Sequence, residues 1–274
     1  MAEKKILVLG SFAWSLSFPR IMGVVNITPD SFSDGGKCLH PKDAVSRAWA
    51  FWQEGADIVD LGAESTRPGA KAIDAEEEQK RLLPVLEGLY DFPLPISVDT
   101  RHPQTMRLAL EKGASMINDV EGFLAPDAVS SVAQSQAALC VMHAWPHGHE
   151  ADAAAVTEDV LDFFRRRQDA LENQGIQRQR LLFDPGFGFG KGLLGDWALL
   201  RQMDVLASWG PILVGLSRKR MFSIFCQDEG PLGREEASLW ASLWALNQGA
   251  LAVRVHHVSR IQKMLSLQKM LANA

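Results

Sequence analysis

Residues 95–119 read PISVDTRHPQTMRLALEKGASMIND, and this stretch decides the fold. A short apolar run, Pro95–Asp99, ends in an acid. The amphipathic segment that follows, Pro103–Gly113, opens on Pro and closes on Gly, the residues favoured just inside and just past the ends of a helix. A second apolar run, Ser115–Asp119, ends in Asn118-Asp119. Near-continuous apolar runs mark strands buried on both faces, and a helix between two of them makes the pair parallel. The unit is strand–helix–strand, with polar chemistry at each strand's C-terminal end.

The same unit recurs outward in both directions. Further strand candidates are Ile21–Asn26, Asp57–Leu61, Ala138–His143, Leu181–Asp184, Ile212–Leu216 and Ala250–His256. Helical stretches such as Pro41–Gly55, Ala75–Tyr90, Asp152–Gly175 and Arg234–Gly249 lie between them, several ending in Gly. A chain of 274 residues could hold two ordinary domains or one large barrel. Eight strands at roughly 30 residues per unit, with no linker or composition shift, predict one α/β domain, a (β/α)8 TIM barrel over residues 20–274. Residues 1–19 are read as a short N-terminal β segment covering one end. Lys4 and Lys5 before the run Ile6–Phe18 superficially resemble a signal peptide. Ser11, Ser15 and Ser17 interrupt that run, and no clear A-x-A cleavage site follows.

With 47% hydrophobic and 22% charged residues, collagen-like, disordered and disulfide-scaffold classes are excluded. Cys38, Cys140 and Cys226 are odd in number, far apart and free of any C-x-x-C pair, as expected of reduced thiols in a cytoplasmic protein. No apolar run is long enough to span a membrane. The net charge of −5, with no basic block, argues against a nucleic-acid partner. An anionic ligand would need a focused local site.

In a barrel all C-terminal strand ends converge on one face, where active sites are built. Here those ends carry Asn26, Glu64-Ser65-Thr66-Arg67, Asp99, Asn118-Asp119, His143, Asp184, Ser217-Arg218-Lys219, and Arg254 with His256. Loop polarity explains Ser or Gly after a strand; it explains acids, amides and bases there less well, since the opposite junctions are mostly Gly, Ala and Pro. Thr66-Arg67, Arg254 and His256 could hold an anion, Arg offering a planar fork of donors. Alternate residues share a strand face, so Arg254 and His256 point together, beside Asn26 of the adjoining first strand. An Asn carbonyl there could meet Mg²⁺ next to a phosphate. Asp99, Asn118, Asp184 and Lys219 could read a flat, nitrogen-rich heterocycle: the acids accept from N–H groups, Asn does both, and Lys donates to a ring carbonyl. The run Gly186–Lys191 lacks Walker spacing and is read as a tight turn. Trp240 and Trp244, at helical spacing, are read as core or subunit interface.

Together these motifs resemble the dihydropteroate synthases, a family of folate-pathway enzymes. The likeness runs from Ile21-Met22-Gly23-Val24-Val25-Asn26-Ile27-Thr28-Pro29-Asp30-Ser31-Phe32-Ser33-Asp34-Gly35-Gly36 through Gly62–Gly69, Ser97–Thr100, Ile117–Val120, Asp184–Lys191 and Ser217–Lys219 to Arg254-Val255-His256. It implies a homodimeric transferase that joins 7,8-dihydropterin-6-ylmethyl diphosphate to p-aminobenzoate, with Mg²⁺ as cofactor and sulfonamides as inhibitors. Asp99, Asn118, Asp184 and Lys219 are then the pterin set. Asn26, Thr66, Arg67, Arg254 and His256 are the diphosphate set, with Asn26 also on Mg²⁺. Phe32, Thr66, Pro68, Phe189 and Ser217 border the p-aminobenzoate pocket, and Asp99, Lys219, Arg254 and His256 carry catalysis. The segments Thr28–Gly36 and Thr66–Gly69 correspond to the family's two mobile loops.

Two positions depart from the family pattern. Arg-x-His is usually followed by Asp, and here by His257. Met142-His143 leads into Ala144-Trp145-Pro146 rather than a Gly-x-Pro turn. Two other readings compete: a catalytically silent pterin-binding paralogue, and a barrel that moves a methyl group from a methylated folate to a corrinoid protein. The latter needs no diphosphate grip, so Arg67, Arg254 and His256 argue against it.

Overall fold

The computed structural model describes residues 6–28, 40–65, 71–146, 151–225 and 230–272. Phe32, Thr66, Arg67 and Pro68, most of the Thr28–Gly36 segment, Cys38 and Cys226 lie outside the described residues.

The chain opens with an antiparallel hairpin, β1 (Ile6–Leu9) and β2 (Phe12–Ser15). Eight parallel strands follow: β3 (Arg20–Asn26), β4 (Ile58–Gly62), β5 (Ile96–Asp99), β6 (Met116–Asp119), β7 (Ala138–Met142), β8 (Leu181–Asp184), β9 (Leu213–Val214) and β10 (Ala252–Val255). They pair in the order β8-β7-β6-β5-β4-β3-β10-β9. Between β8 and β9 the ring closes through a single bridge, Phe183 to Ile212, and one bond from Phe183 N to Pro211 O of 3.0 Å. The crossovers carry α1 (Pro41–Glu54), α2 (Ala75–Gly88), α3 (Pro103–Glu111), α4 (Ala128–Val132), α5 (Val156–Glu172), α6 (Gly192–Arg201), α7 (Met203–Trp209), α8 (Gly230–Gly233) and α9 (Glu235–Asn247), and α10 (Val258–Ala272) follows β10. This is the expected (β/α)8 barrel with its N-terminal β segment.

Local chemistry fixes several ends. Asp74 caps α2 by accepting from Glu77 N at 2.9 Å. Pro41 and Pro103 open α1 and α3, where no backbone N–H is needed. Gly55 ends α1 in the left-handed region, at φ 93°. The ninth strand is shorter than its apolar run Ile212–Leu216 implies. It leaves the ladder at Gly215, where an added Cβ would lie 3.9 Å from the Asp184 carboxylate.

Strand register sorts the side chains into two sets. Outward residues such as Ile21, Val59, Val98, Ile117, Val141 and Phe183 pack with the helices in the larger core. Inward residues Met22, Ile58, Met116, Ala138, Cys140, Leu182, Leu213 and Ala252 form a second core with Leu7, Leu9 and Trp14 of the hairpin. The hairpin therefore plugs the N-terminal end of the barrel. Arg20 ties it down, lying over the Trp14 ring at 5.6 Å and pairing with Asp57 at 2.8 Å. One step further along five of the strands, β4, β5, β6, β8 and β10, the inward positions turn polar: Asp60, Ser97, Asn118, then Asp99, Asp184 and Arg254. Among the described residues no helix is long and apolar enough to cross a membrane.

Candidate active site

A cavity opens at the C-terminal mouth of the barrel, and Asp99, Asn118, Asp184, Phe189, Ser217, Lys219, Arg254 and His256 all line it. Of the two groups read from the sequence as separate, the whole heterocycle set and, from the anion set, Arg254 and His256 share this single space; Thr66 and Arg67 lie outside the described residues. Asn26 stands beside it: a Cβ at Gly62 would meet both Asn26 Oδ1 at 4.0 Å and Asp99 Oδ2 at 3.8 Å.

Arg254 joins the two groups. Its Nε donates to Asp60 Oδ2 at 2.6 Å and its Nη2 to Asp99 Oδ2 at 2.9 Å. Asp60 is fully buried at the centre of β4, and its Oδ2 also accepts from Asn118 Nδ2 at 3.4 Å. Sequence reasoning missed Asp60 because it looked only at strand ends. The available signal was an acid interrupting the apolar run Ile58-Val59-Asp60-Leu61, since an unpaired buried carboxylate is too costly to keep. Asp60 Oδ1 and Asn118 Oδ1 are buried acceptors with no hydrogen-bond partner among the described residues. Such atoms call for donors from a ligand.

The cavity shifts its own titrations. Burial first, and then the Asp60 charge, push Asp99 up to about 7 against the opposing pull of Arg254. Burial pulls Lys219 down to about 8; Asp184 resists and Arg254 adds to the fall. Asp184 is also raised by burial, opposed by the Gly186 N–H that reaches its Oδ1 at 2.7 Å and by Lys219. For Arg254 burial works against the charge, but Asp60 and Asp99 outweigh it and raise its pKa. A carboxylate and an amine that both titrate near neutrality in one cavity are a mark of a functional site.

Around this centre the loops are braced. Ser217 Oγ lies 2.8 Å from His256 Nδ1, and Arg47 Nη2 donates to His256 O at 3.0 Å. Glycines at 186, 188 and 190 adopt φ of 69°, 78° and 73°, so the run is the tight turn expected from its composition. A Cβ at Gly186 would fall 1.9 Å from His143 O. Lys219 Nζ sits 4.4 Å over the Phe189 ring. After β4, Glu64 accepts from Arg101 Nε at 3.0 Å and Nη2 at 3.1 Å, and from Ile73 N at 3.2 Å. Glu64 thus ties the start of the segment bearing Thr66-Arg67 to Ile73 at its end. Arg101 was not singled out from the sequence.

His257, where the family pattern has Asp, lies 3.1 Å from Arg218 Nη2, while Glu235 takes Arg218 Nε at 2.8 Å. Burial and the neighbouring arginines hold His257 below its ordinary pKa, opposed by Glu235. A neutral imidazole accepts from Arg218, and the carboxylate on this guanidinium is that of Glu235.

The model of the pterin-binding enzyme family matches residues 22–256. Dihydropteroate synthase of Escherichia coli K12 is 39% identical over 249 residues, covering 89% of this chain and 88% of the relative. That of Haemophilus influenzae is 36% identical, covering 94% and 96%. A solved structure of the Xanthomonas albilineans dihydropteroate synthase with 4-aminobenzoic acid superposes with TM-score 0.91 at 40% identity, covering 99% and 100%. The Burkholderia cenocepacia dihydropteroate synthase complexed with 7,8-dihydropteroate gives 0.88 at 37%, covering 98% and 96%. A barrel with this polar mouth, matched along nearly its whole length, belongs to the pterin-binding enzyme family and, within it, to the dihydropteroate synthases.

Proposed function

We propose that this enzyme joins 7,8-dihydropterin-6-ylmethyl diphosphate to p-aminobenzoate, giving 7,8-dihydropteroate and pyrophosphate. The observation that carries the reading is the convergence of Asp99, Asn118, Asp184 and Lys219 with Arg254 in one cavity. The relatives' complexes with 4-aminobenzoic acid and 7,8-dihydropteroate point the same way.

The pterin edge carries N–H and NH₂ donors and a ring carbonyl. Asp99, Asp184 and Asn118 Oδ1 are the acceptors for the donors, and Lys219 is the donor for the carbonyl. Arg254 has five N–H groups, and Asp60 and Asp99 take two of them. The remainder serve the diphosphate, with His256 held by Ser217 and with Thr66 and Arg67 from the neighbouring loop. The C–O bond to the pterin methylene breaks first, and its electron pair leaves with diphosphate, whose growing charge the cations stabilise. The methylene cation is delocalised into the ring beside the Asp99 and Asp184 carboxylates. The arylamine nitrogen then forms the new C–N bond and loses its proton. No strong general base is required, because the electrophile is already a cation. The family resemblance assigns Phe32, Thr66, Pro68, Phe189 and Ser217 to the arylamine, and of these Phe189 and Ser217 line the cavity.

Asn26 offers an amide oxygen at the mouth beside Asp99, a donor type that fits Mg²⁺. Bound there, Mg²⁺ would supply Lewis-acid charge stabilisation to the diphosphate. We also read the chain as a cytoplasmic homodimer. Trp240 and Trp244 of α9 are 62% and 52% exposed, an apolar pair that a second copy would cover. Light scattering tests the dimer.

Arg254→Ala tests the reaction. Turnover should fall by at least about 100-fold, the scale of losing a charge-stabilising donor, while a pterin without diphosphate still binds. Unchanged turnover sinks the assignment. Pterin binding without pyrophosphate release in the unaltered protein would favour the silent paralogue.

A further inference from the structure

Turn geometry accounts for the glycines of Gly186–Lys191 but not for the lysine. Lys191 is only 1% exposed. Its Nζ donates to His143 O at 2.9 Å, Gly186 O at 2.9 Å and Phe189 O at 3.3 Å. An ammonium has three N–H donors for these three acceptors, whereas a neutral amine has two. Burial pulls Lys191 down to about 7, and Asp196 and Asp184 oppose the fall.

Trp145 belongs to the loop that departs from the family pattern, and it packs onto the same turn. Its ring centre lies 5.5 Å from Lys191 Nζ, and its backbone N–H donates to Phe189 O at 3.3 Å. A Cβ at Gly190 would come within 2.8 Å of Trp145 Cβ, so the turn is shaped to receive this residue. The loops after β7 and β8 are therefore one unit pinned by one cation. Phe189 O is the point on which both Lys191 and Trp145 act, and the Phe189 ring lies against Lys219. The Asp184 backbone is held differently, by the β7–β8 ladder opposite Met142, although its carboxylate also takes the Gly186 N–H.

We propose that Lys191 is a positioning residue, which with Trp145 fixes Phe189 against Lys219 and so sets affinity for the arylamine substrate. The pterin acids stay where their strands hold them. The inference rests on the reading that Phe189 borders the p-aminobenzoate pocket.

The test compares Lys191→Met, Lys191→Arg and Trp145→Leu in the full-length enzyme, reading KM for p-aminobenzoate, kcat, and pterin affinity by calorimetry. Lys191→Met should raise KM for p-aminobenzoate about tenfold, with pterin affinity changed by less than about threefold. Lys191→Arg, which keeps charge and donors, should recover part of that loss. Trp145→Leu should raise the same KM about threefold, and it carries the test if Lys191→Met fails to fold. An unchanged KM in the folded variants overturns the proposal. So does pterin affinity falling as far as arylamine affinity, which would mean general loosening of the site. If the unaltered enzyme shows no p-aminobenzoate-dependent turnover, the functional reading falls and takes this inference with it.

Discussion

Asp60 shows how a residue that touches no solvent can govern those that meet substrate. It shares one oxygen between Arg254 and Asn118, and its charge helps push Asp99 up to about 7. Asp99 accepts from the pterin as a carboxylate, so kcat/KM should rise as pH climbs through about 7. Lys219 donates as an ammonium, so the rate should fall as pH passes about 8. The limbs belong to the coupled cavity rather than to either residue alone. Asp60→Asn removes a negative neighbour while Arg254 stays, so the acid limb should move to lower pH. A pH–rate profile whose acid limb does not move would contradict this role. The strand-end acids and bases were legible in the sequence, because chemistry at that end of a barrel strand has a fixed address. Asp60 was not, because a mid-strand acid is unremarkable until its partners are known, and Arg254 lies 194 positions away.

At the scale of elements, the apolar runs and their Pro and Gly boundaries predicted the strands and helices. Misjudged ends occur where pairing, rather than composition, decides: Leu216 and Ala250 are apolar but have no ladder partner. The N-terminal hairpin packs at the end of the barrel opposite the cavity. Leu9→Ala, at a fully buried position, should cost about 2–5 kcal/mol in urea unfolding while leaving kcat of the folded enzyme unchanged. A drop in kcat at full folding would mean that the plug reaches the active site. On the other side, Glu64 depends on Arg101 for two bonds. Arg101→Met should therefore weaken diphosphate-dependent binding through the Thr66-Arg67 segment, read as a higher KM for the pterin diphosphate with free pterin affinity kept. Equal loss for both ligands would count against it.

At the scale of the whole molecule, a net charge of −5 surrounds a mouth that must hold an anion. The two requirements are compatible because Lys219, Arg254 and His256 are gathered at one rim. The same burial carries a stability cost. Asp99 ionises at about 7 in the fold against 3.8 ordinarily, so the folded state keeps its proton longer. Its contribution is fully present below about 4 and lost as pH rises through 7. Asp99→Asn should raise Tm most above pH 7, less at pH 5 and hardly at all below about pH 4, at the expense of activity; a Tm gain of equal size above pH 7 and below pH 4 would refute the burial account. The most direct measurement is pyrophosphate release with and without p-aminobenzoate, by the unaltered enzyme and by Asp99→Asn. The account predicts release that requires the arylamine, matches dihydropteroate formed mole for mole, and nearly vanishes in the variant. Release at equal rates from both proteins, or none from either, would contradict it.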